Sequence, residues 1–414
     1  MTEIVKLKPE IAHTDDVTPE DDIEKIPEPK IKNRKELHQF LEWAITKTYE
    51  LEREYQELEE DTNMVKSYVI ESHKPLKELT VPKYKVKISK TDDSTLFVVK
   101  FKREDVKKFS TLYVDVLNER FWTIHTVEKS AVVDLFIDKI AKNEIKKDYI
   151  WFPSQYMERF KEKGFPRAIT IQYAEVLRLE DKKIGNLSMK LWGSAAGDVL
   201  ELFRKLSRIK SEIQQTTDNQ LYNILGVCEG LSHSSPVSGI GIKYVVENDQ
   251  SHFILDDIMH KGKFTARGGN SIDGHLYLLR TAKEEYVNTI TYIEEEVTMG
   301  LIKSNFLKMS GHPLIIVLSR SIEDIHSFSQ EVTSCRNPFR FLGFPRYESE
   351  DFIAITGVDL HTGGKLNLEM SHDWIRLYLP KGSCGNTVAR FYSLVQHNYD
   401  SNAKLEGVEY GRLF

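Results

Sequence analysis

Cysteine is scarce in this sequence, with only Cys228, Cys335 and Cys384 among 414 residues. The three lie far apart and none belongs to a Cys-x-x-Cys pair, which argues against a disulfide framework and against a four-thiolate zinc site. Long apolar runs are also missing, since no stretch of about 18 apolar residues occurs and none follows the N-terminal charges. These absences predict a cytoplasmic chain that neither crosses a membrane nor is secreted.

Familiar catalytic motifs are absent as well. The sequence has no G-x-x-x-x-G-K-[ST] phosphate loop, no H-E-x-x-H zinc helix and no G-x-S-x-G nucleophile turn. The G-I-G-I-K-Y run that begins at Gly239 lacks the third glycine of a dinucleotide-binding fingerprint. The common nucleotide-binding, zinc-protease and esterase classes are therefore unsupported, and the sequence specifies no cofactor.

Charge of one sign is in excess only near the N-terminus. Residues 1 to 75 contain 19 Asp and Glu against 11 Lys and Arg, whereas the remainder contains 44 against 46. Dedicated nucleic-acid binders usually carry a clear basic excess, although a local basic groove is compatible with a neutral total. With 40% hydrophobic and 29% charged residues, the chain has the composition of a globular protein with one large domain or two medium ones.

The N-terminal part divides into two segments. Residues 1–32 are acidic and contain several prolines, which predicts a disordered tail. Residues 33–73 carry apolar side chains at alternating steps of four and three, which predicts a coiled-coil-like helix or a helical hairpin broken near Thr62. Such a stripe has to be buried against a second copy of the chain, a partner protein or the chain's own body. We expect a homo-oligomer or a partner protein to use it.

The body combines strands with amphipathic helices. A strand leads through a polar turn into a helix four times, at Phe121–Ala141, Leu187–Ile209, Leu314–Thr333 and Trp374–Asn398. Further strands outnumber the helices, which favours an α+β fold with largely antiparallel sheets. A polar stretch near residue 215 predicts two domains, 84–215 and 220–414, or one continuous body.

The C-terminal segment gathers reactive side chains around Cys384. The thiol is predicted near a helix N-terminus and after Lys381, where the helix dipole and a cation favour the thiolate. With His361, His372 or His397 as base and Asp359 nearby, the pattern is compatible with nucleophilic catalysis. The alternatives are a small buried cysteine that fills a strand-to-helix turn, and an anion bound by the exposed amides.

A second segment, from Lys261 to His275, combines cationic side chains with three glycines. Lys263 and Arg267 could contact phosphates there, and the alternative is an ordinary polar loop. Together with Lys381 and Arg390 they form the predicted nucleic-acid-binding set.

Two D-x-H pairs suggest metal ligands, Asp273 with His275 and Asp359 with His361. In a strand this spacing places both side chains on one face, and two such pairs could form a dinuclear site if they met. Ordinary capping or surface roles are the alternative.

These patterns favour a binding or assembly subunit that associates through its N-terminal helix and recognises a macromolecule. Nucleic acid is the expected target, within a prokaryotic antiviral defence or nucleic-acid-processing complex. The alternatives are a hydrolase or nuclease built around Cys384 or the D-x-H pairs, and a sensor that binds a small anion.

Overall fold

The computed structural model describes residues 29–55, 64–143, 145–174, 186–202, 233–247, 249–303 and 307–407. Residues Ile31–Phe414 form one compact unit. The predicted tail lies almost entirely outside the described residues. Its last two residues belong to the compact unit instead, because Ile31 is buried and the Lys32 carbonyl accepts a 2.7 Å hydrogen bond from the amide of Asp92.

The helices and strands alternate irregularly along the chain. The helices are α1 Arg34–Tyr55, α2 Ser130–Asn143, α3 Ser154–Arg159, α4 Ile272–Tyr292, α5 Ile325–Val332 and α6 Asn386–Asn398, with short 3-10 turns at Leu76–Glu78 and Phe160–Glu162 and a π-helical turn at Ile293–Val297. The strands are β1 Lys66–Ser72, β2 Tyr84–Lys90, β3 Leu96–Arg103, β4 Ser110–Asp115, β5 Phe121–Thr126, β6 Lys147–Tyr149, β7 Phe165–Ala174, β8 Asn186–Trp192, β9 Val237–Val245, β10 Phe253–Met259, β11 Lys263–Gly269, β12 Gly300–Lys303, β13 Leu307–Ser310, β14 Leu314–Val317, β15 Phe341–Glu348, β16 Ile353–Asp359, β17 Lys365–Met370, β18 Trp374–Tyr378 and β19 Lys404–Glu406.

Three sheets organise the described residues. An 11-stranded sheet runs in the order β2-β3-β4-β5-β1-β11-β10-β9-β7-β8, with β6 paired to β1. A six-stranded sheet has the order β15-β16-β17-β18-β14-β19, and β12 and β13 form a separate hairpin. Neighbouring strands pair antiparallel, for example β1 with β5 and β10 with β11. The α+β fold with largely antiparallel sheets is confirmed.

The predicted helix over 33–73 is only partly correct. α1 occupies Arg34–Tyr55, but Lys66–Ser72 form β1, which lies between β5 and β11 near the centre of the large sheet. All seven residues of β1 are buried because protein covers both of its faces, so the strand lacks the polar alternation of a half-exposed strand. Val65 and Val69 therefore belong to the sheet core and not to a coiled-coil seam.

The apolar stripe of α1 packs on the chain's own body. Leu37, Leu41, Ala44 and Thr48 are buried, and the helix contacts β11 and α4. At the first turn of the helix, Arg34 Nη2 lies 2.8 Å from Asp115 Oδ1, and this ion pair helps to fix the helix start. Of the three predicted ways to bury this stripe, the fold uses the chain's own body. Association with a second copy or a partner protein through residues 33–73 stays a prediction, but an exposed apolar stripe on α1 no longer supports it.

The strand-to-helix units are present. β5 leads into α2, β14 into α5 and β18 into α6, while β8 leads into helical residues at 196–202 and the rest of that unit lies outside the described residues. The apolar side of α2 shows why the unit forms, since Phe136 stacks on Phe101 of β3 with ring centres 3.9 Å apart. A helix with one apolar face is stabilised when that face covers a sheet.

The large sheet takes strands from both sides of the predicted division near residue 215. β7 pairs with β9 along most of its length. The predicted boundary itself lies in residues 203–232, outside the described ranges. None of the helices formed by the described residues is both long enough and apolar enough to cross a membrane.

Candidate anion-binding cavity and Glu-His-Cys cluster

One face of the large sheet carries an open cavity of about 380 Å³. Residues of β1, β7, β9, β10 and β11 line it together with residues of α2. Four cationic side chains are among the lining residues, namely Lys190, Lys261, Lys263 and Arg267. The fold therefore brings the predicted pair Lys263 and Arg267 into one concave site.

The turn between β10 and β11 places Lys261 and Lys263 at the cavity. Gly262, between them, has a φ of +72°, a conformation that glycine adopts without steric cost. A Cβ atom at this position would overlap the side chain of Ile150. The amide of Val69 donates a 2.9 Å hydrogen bond to the Gly262 carbonyl, which ties the turn to β1.

Most of the cavity cations have carboxylate partners. Lys263 Nζ lies 2.7 Å from Asp134 Oδ2. Arg267 Nε and Lys190 Nζ lie 3.0 and 3.2 Å from the same oxygen of Asp257. Two cations thus share a single carboxylate, which leaves positive charge in surplus at this end of the cavity.

Lys261 is different, because among the residues that the structure describes no carboxylate is within ion-pair distance of its ammonium group. Its Nζ instead lies 5.5 Å from the ring centre of Tyr149 and 5.6 Å from that of Trp151. Such cation–π contacts stabilise a cation that has lost part of its hydration. Burial, and after it the charge of Lys142, lowers the pKa of Lys261.

The other two predicted binding residues lie elsewhere. Lys381 Nζ donates a 2.9 Å hydrogen bond to the carbonyl of Glu295, away from the cavity. Arg390 is 2% exposed and forms ion pairs with Asp148 and Asp359 inside the protein. A guanidinium in this position cannot reach a nucleic acid, so the prediction for Arg390 is wrong, and Lys381 is not a lining residue of the cavity.

A second group of functional side chains lies where four chain segments meet. Glu71 is near the end of β1, His73 follows the strand, His361 follows β16 and Cys384 precedes α6. One nitrogen, sulfur or carboxylate oxygen from each residue lies within 4.8 Å of the others. Since side chains alternate along a strand, Glu71 and the cavity residue Tyr68 are on opposite faces of β1. The Glu-His-Cys cluster is thus separate from the cavity.

Glu71 is the centre of the Glu-His-Cys cluster. Its carboxylate accepts hydrogen bonds of 2.8 Å from Arg120 Nε and 2.7 Å from Asn386 Nδ2, and it lies 2.9 Å from His361 Nε2. Burial alone would raise the pKa of this carboxyl, but the hydrogen bonds from His361 and His73 and the charge of Arg120 hold that pKa well below its ordinary value. Glu71 is therefore a buried carboxylate anion.

Cys384 does not have the properties expected of an activated nucleophile. Its Sγ lies 3.4 Å from Glu71 Oε1 and 3.5 Å from His73 Nε2, and it accepts a 3.3 Å contact from Arg120. Burial, and next the charge of Glu71, raises the pKa of the thiol well above its ordinary value. The predicted lowering by the helix N-terminus is therefore wrong, because burial and the carboxylate outweigh the amide dipoles and Arg120.

The D-x-H spacing at Asp273 and His275 does not place both residues in one site. These residues lie on α4 and not on a strand, so their side chains diverge. Asp273 is exposed and contacts His38, whereas His275 is buried between Asp256 at 2.7 Å and Ser67 at 2.8 Å. The expectation of a shared metal face is wrong here because the local structure is helical.

The pair at Asp359 and His361 is divided in a similar way. Asp359 pairs with Arg390 and Thr387, while His361 faces Glu71 in the Glu-His-Cys cluster. The predicted dinuclear site is therefore not formed, although His361 and Cys384 do come together.

Glu71 and His73, two of the four residues of the Glu-His-Cys cluster, were not among the predicted site residues. Glu71 and His73 have Glu-x-His spacing at a strand end, which places both side chains on one side of the chain. The run E-S-H contains this Glu-x-His spacing. Because residues 33–73 were predicted as a coiled-coil-like helix, the spacing was not read as that of a strand end.

Comparison with known proteins identifies the family. Residues 26–414 match the family model described as MJECL33-like protein. The uncharacterized protein MJECL33 of Methanocaldococcus jannaschii is 31% identical over 400 residues, which cover 92% of this chain and 96% of that protein. No solved structure matches the chain. The chain therefore belongs to the MJECL33-like protein family.

Proposed function

We propose that this protein binds a ligand through a terminal phosphate group in the cavity lined by Lys190, Lys261, Lys263 and Arg267. The observation that carries the proposal is Lys261, a half-buried cation that lines the cavity without a carboxylate within ion-pair distance among the described residues. A partly desolvated cation without a counter-ion is unfavourable, so an anionic ligand is stabilised at this position.

The charges around the cavity favour a dianion. Lys263 is neutralised by Asp134, and Asp257 neutralises only one of Lys190 and Arg267. The third lining carboxylate, Asp138, is paired with Lys142. The remaining cation and Lys261 therefore leave a local surplus of about two positive charges, and a phosphate monoester carries about −1.5 to −2 at pH 7. An internal phosphodiester carries a single charge and matches the cavity less well.

The other walls suit the rest of such a ligand. Ile240 and Met259 offer apolar surface, and Thr170 and Gln172 offer hydrogen-bonding groups. A volume of about 380 Å³ is in the range of small-ligand sites, roughly 300–1,000 Å³. A mononucleotide and the phosphorylated end of a nucleic-acid strand share this chemistry. The predicted role as a nucleic-acid-recognising subunit favours the strand end.

The test measures fluorescence anisotropy with two labelled probes at two salt concentrations. The probes are a single-stranded oligonucleotide with a 5′-phosphate and the same oligonucleotide with a 5′-hydroxyl, and unlabelled AMP is added as a competitor. We expect the phosphorylated strand to bind at least about tenfold more tightly than the hydroxyl form, and its affinity to fall with salt. Strong competition by AMP would identify a free nucleotide as the ligand class. Equal binding of both strands, with no effect of AMP, would overturn the proposal.

Variants connect binding to the cavity. Lys261→Gln removes the surplus cation, and we expect a loss of affinity of about tenfold, in the range measured for hydrogen bonds to charged groups. Lys139→Gln is the matched control, because Lys139 lies on α2, is exposed and does not line the cavity. Equal effects of the two variants would show that binding is nonspecific. Participation in a defence or nucleic-acid-processing complex stays a prediction.

A further inference from the structure

We infer that Glu71, His73, His361 and Cys384 bind one zinc ion, at a site separate from the proposed phosphate cavity. The inference rests on the donor atoms of the Glu-His-Cys cluster and does not depend on the function proposed above. A thiol, two imidazoles and a carboxylate are the donor types that zinc takes in proteins.

The distances between the donor atoms suit one small ion. Cys384 Sγ and His73 Nε2 are 3.5 Å apart, and His73 Nε2 and Glu71 Oε1 are 3.3 Å apart. His361 Nε2 is 2.9 Å from the other carboxylate oxygen, Glu71 Oε2, and with one atom taken from each residue all four donors lie within 4.8 Å of one another. In a tetrahedron with the usual zinc bond lengths, donor atoms are separated by roughly 3.3–3.6 Å. An ion would therefore need only small side-chain movements to bind.

Neighbouring groups orient the donors. His361 Nδ1 lies 3.1 Å from the carbonyl of Lys147, so this nitrogen carries a proton and Nε2 is directed at the other donors. Nε2 lies 2.9 Å from Glu71 Oε2, so the nitrogen lone pair and the carboxylate converge on the same point.

Arg120 supports the same assignment from outside the donor set. It donates to Glu71 Oε1 and to Cys384 Sγ, and it forms a bidentate pair with Glu294. A donor at the sulfur stabilises a thiolate, the form that binds metal, and the thiol proton leaves to solvent. With zinc bound, the ion neutralises Cys384 and Glu71 while Arg120 neutralises Glu294. Without it, the two carboxylates face one guanidinium.

The position in the fold indicates what the ion would do. The four donors come from the end of β1, the turn after β16 and the segment before α6, so one ion would join the large sheet to the six-stranded sheet. Four protein donors leave no open coordination position, which is typical of structural zinc sites. Zinc would thus stabilise the fold, since an ion that binds only the folded state shifts unfolding.

The test uses the full-length protein, stripped with a chelator, incubated with zinc and passed through a sizing column. We expect one zinc ion per chain by elemental mass spectrometry and a higher thermal midpoint than in the stripped protein. With cobalt(II) as probe, we expect absorption from sulfur-to-metal charge transfer and visible bands typical of tetrahedral coordination. Failure to retain zinc at neutral pH would overturn the inference.

Two matched pairs of variants locate the site. Cys384→Ser should remove the sulfur-to-cobalt absorption and weaken zinc retention at least about tenfold, whereas Cys335→Ser should change neither, because Cys335 is the exposed cysteine. His73→Asn, at the partly exposed side of the Glu-His-Cys cluster, should act like Cys384→Ser even if the serine variant fails to fold. His312→Asn is its exposed control. Retention of zinc and of the charge-transfer band in Cys384→Ser would contradict the assignment.

Discussion

The imidazole rings of His260 and His397 stack with their centres 4.2 Å apart and an angle of 18° between their planes. Both rings are buried, and each Nδ1 faces a backbone carbonyl. Burial lowers the pKa of His397 to about 4, and burial together with the charge of His397 lowers that of His260 well below its ordinary value. Both rings are therefore neutral in the folded protein at pH 7.

This pair predicts loss of stability in acid. In the unfolded chain both histidines titrate near their ordinary pKa of about 6.5, so between pH 6.5 and 4 the unfolded state binds protons that the folded state excludes. His397 alone should remove up to about 3 kcal/mol of unfolding free energy as the pH falls through this window. His397→Gln should flatten the dependence in urea unfolding at pH 7 and 4.5. The exposed control His312→Gln should leave it unchanged, and equal slopes in all three proteins would refute the assignment.

The buried ion pairs of Arg390 predict a large effect of one substitution. Arg390→Met leaves Asp148 and Asp359 without their cation inside the protein, which should lower the unfolding free energy by about 3–5 kcal/mol. Arg376→Met breaks a partly exposed pair with Glu369 and should cost at most about 1 kcal/mol. Urea unfolding of both variants measures the difference. Similar losses would show that burial does not strengthen the first set of pairs.

Gly262 predicts a steric effect beyond backbone conformation. Gly262 and Gly363 both have φ near +75°, but only at Gly262 would a Cβ meet neighbouring atoms, chiefly of Ile150. Gly363→Ala should therefore cost about 1–2 kcal/mol from the backbone alone, and Gly262→Ala should cost roughly 1–3 kcal/mol more. Thermal unfolding measures both costs. Because Lys261 precedes Gly262, Gly262→Ala should also weaken phosphate binding. Equal losses of unfolding free energy in Gly262→Ala and Gly363→Ala would contradict the steric argument.

The packing of α1 predicts how much stability is lost when an apolar side chain on its buried face is shortened. Leu41→Ala should lower the unfolding free energy by about 2–5 kcal/mol, because Leu41 is 1% exposed against the body. The neighbouring Glu42 is exposed, and Glu42→Ala should change the value by less than about 0.5 kcal/mol. The unfolding midpoint should not depend on protein concentration. A midpoint that rises with concentration would mean that a second copy covers the helix.

The sequence predicted those parts of the fold that depend on local pattern. The units β5–α2, β14–α5 and β18–α6 each combine an apolar run, a polar turn and a 3.6-residue period, so their type could be predicted without tertiary information. β1 could not be predicted in this way. It is buried on both faces, so it lacks a two-residue period, and Val65 just before it and Val69 within it happen to continue the spacing of α1.

The candidate sites could be predicted only where their residues lie close together in one segment of the sequence. Lys263 and Arg267 share a strand face, so their spacing alone brought them together. Lys190 and Lys261 depend on strand order and on the docking of the turn. Glu71 belongs to the Glu-His-Cys cluster only because β1 lies near segments almost 300 residues later, which no local period encodes. Arg390 was misassigned because a charge in sequence does not reveal its burial.

The place of β1 in the large sheet also constrains the order in which the protein can form during synthesis. β1 is the first strand to leave the ribosome, yet one of its flanking neighbours, β11, pairs Lys263 with Tyr68 and is made much later. β6 pairs with the Ile70–Ser72 part of this edge, but until β11 is made the Lys66–Tyr68 part has no partner, and unpaired edges of this kind promote aggregation. The nascent chain therefore has to protect this part of β1 while nearly half of the sequence is synthesised, and shortening that interval by circular permutation should speed folding.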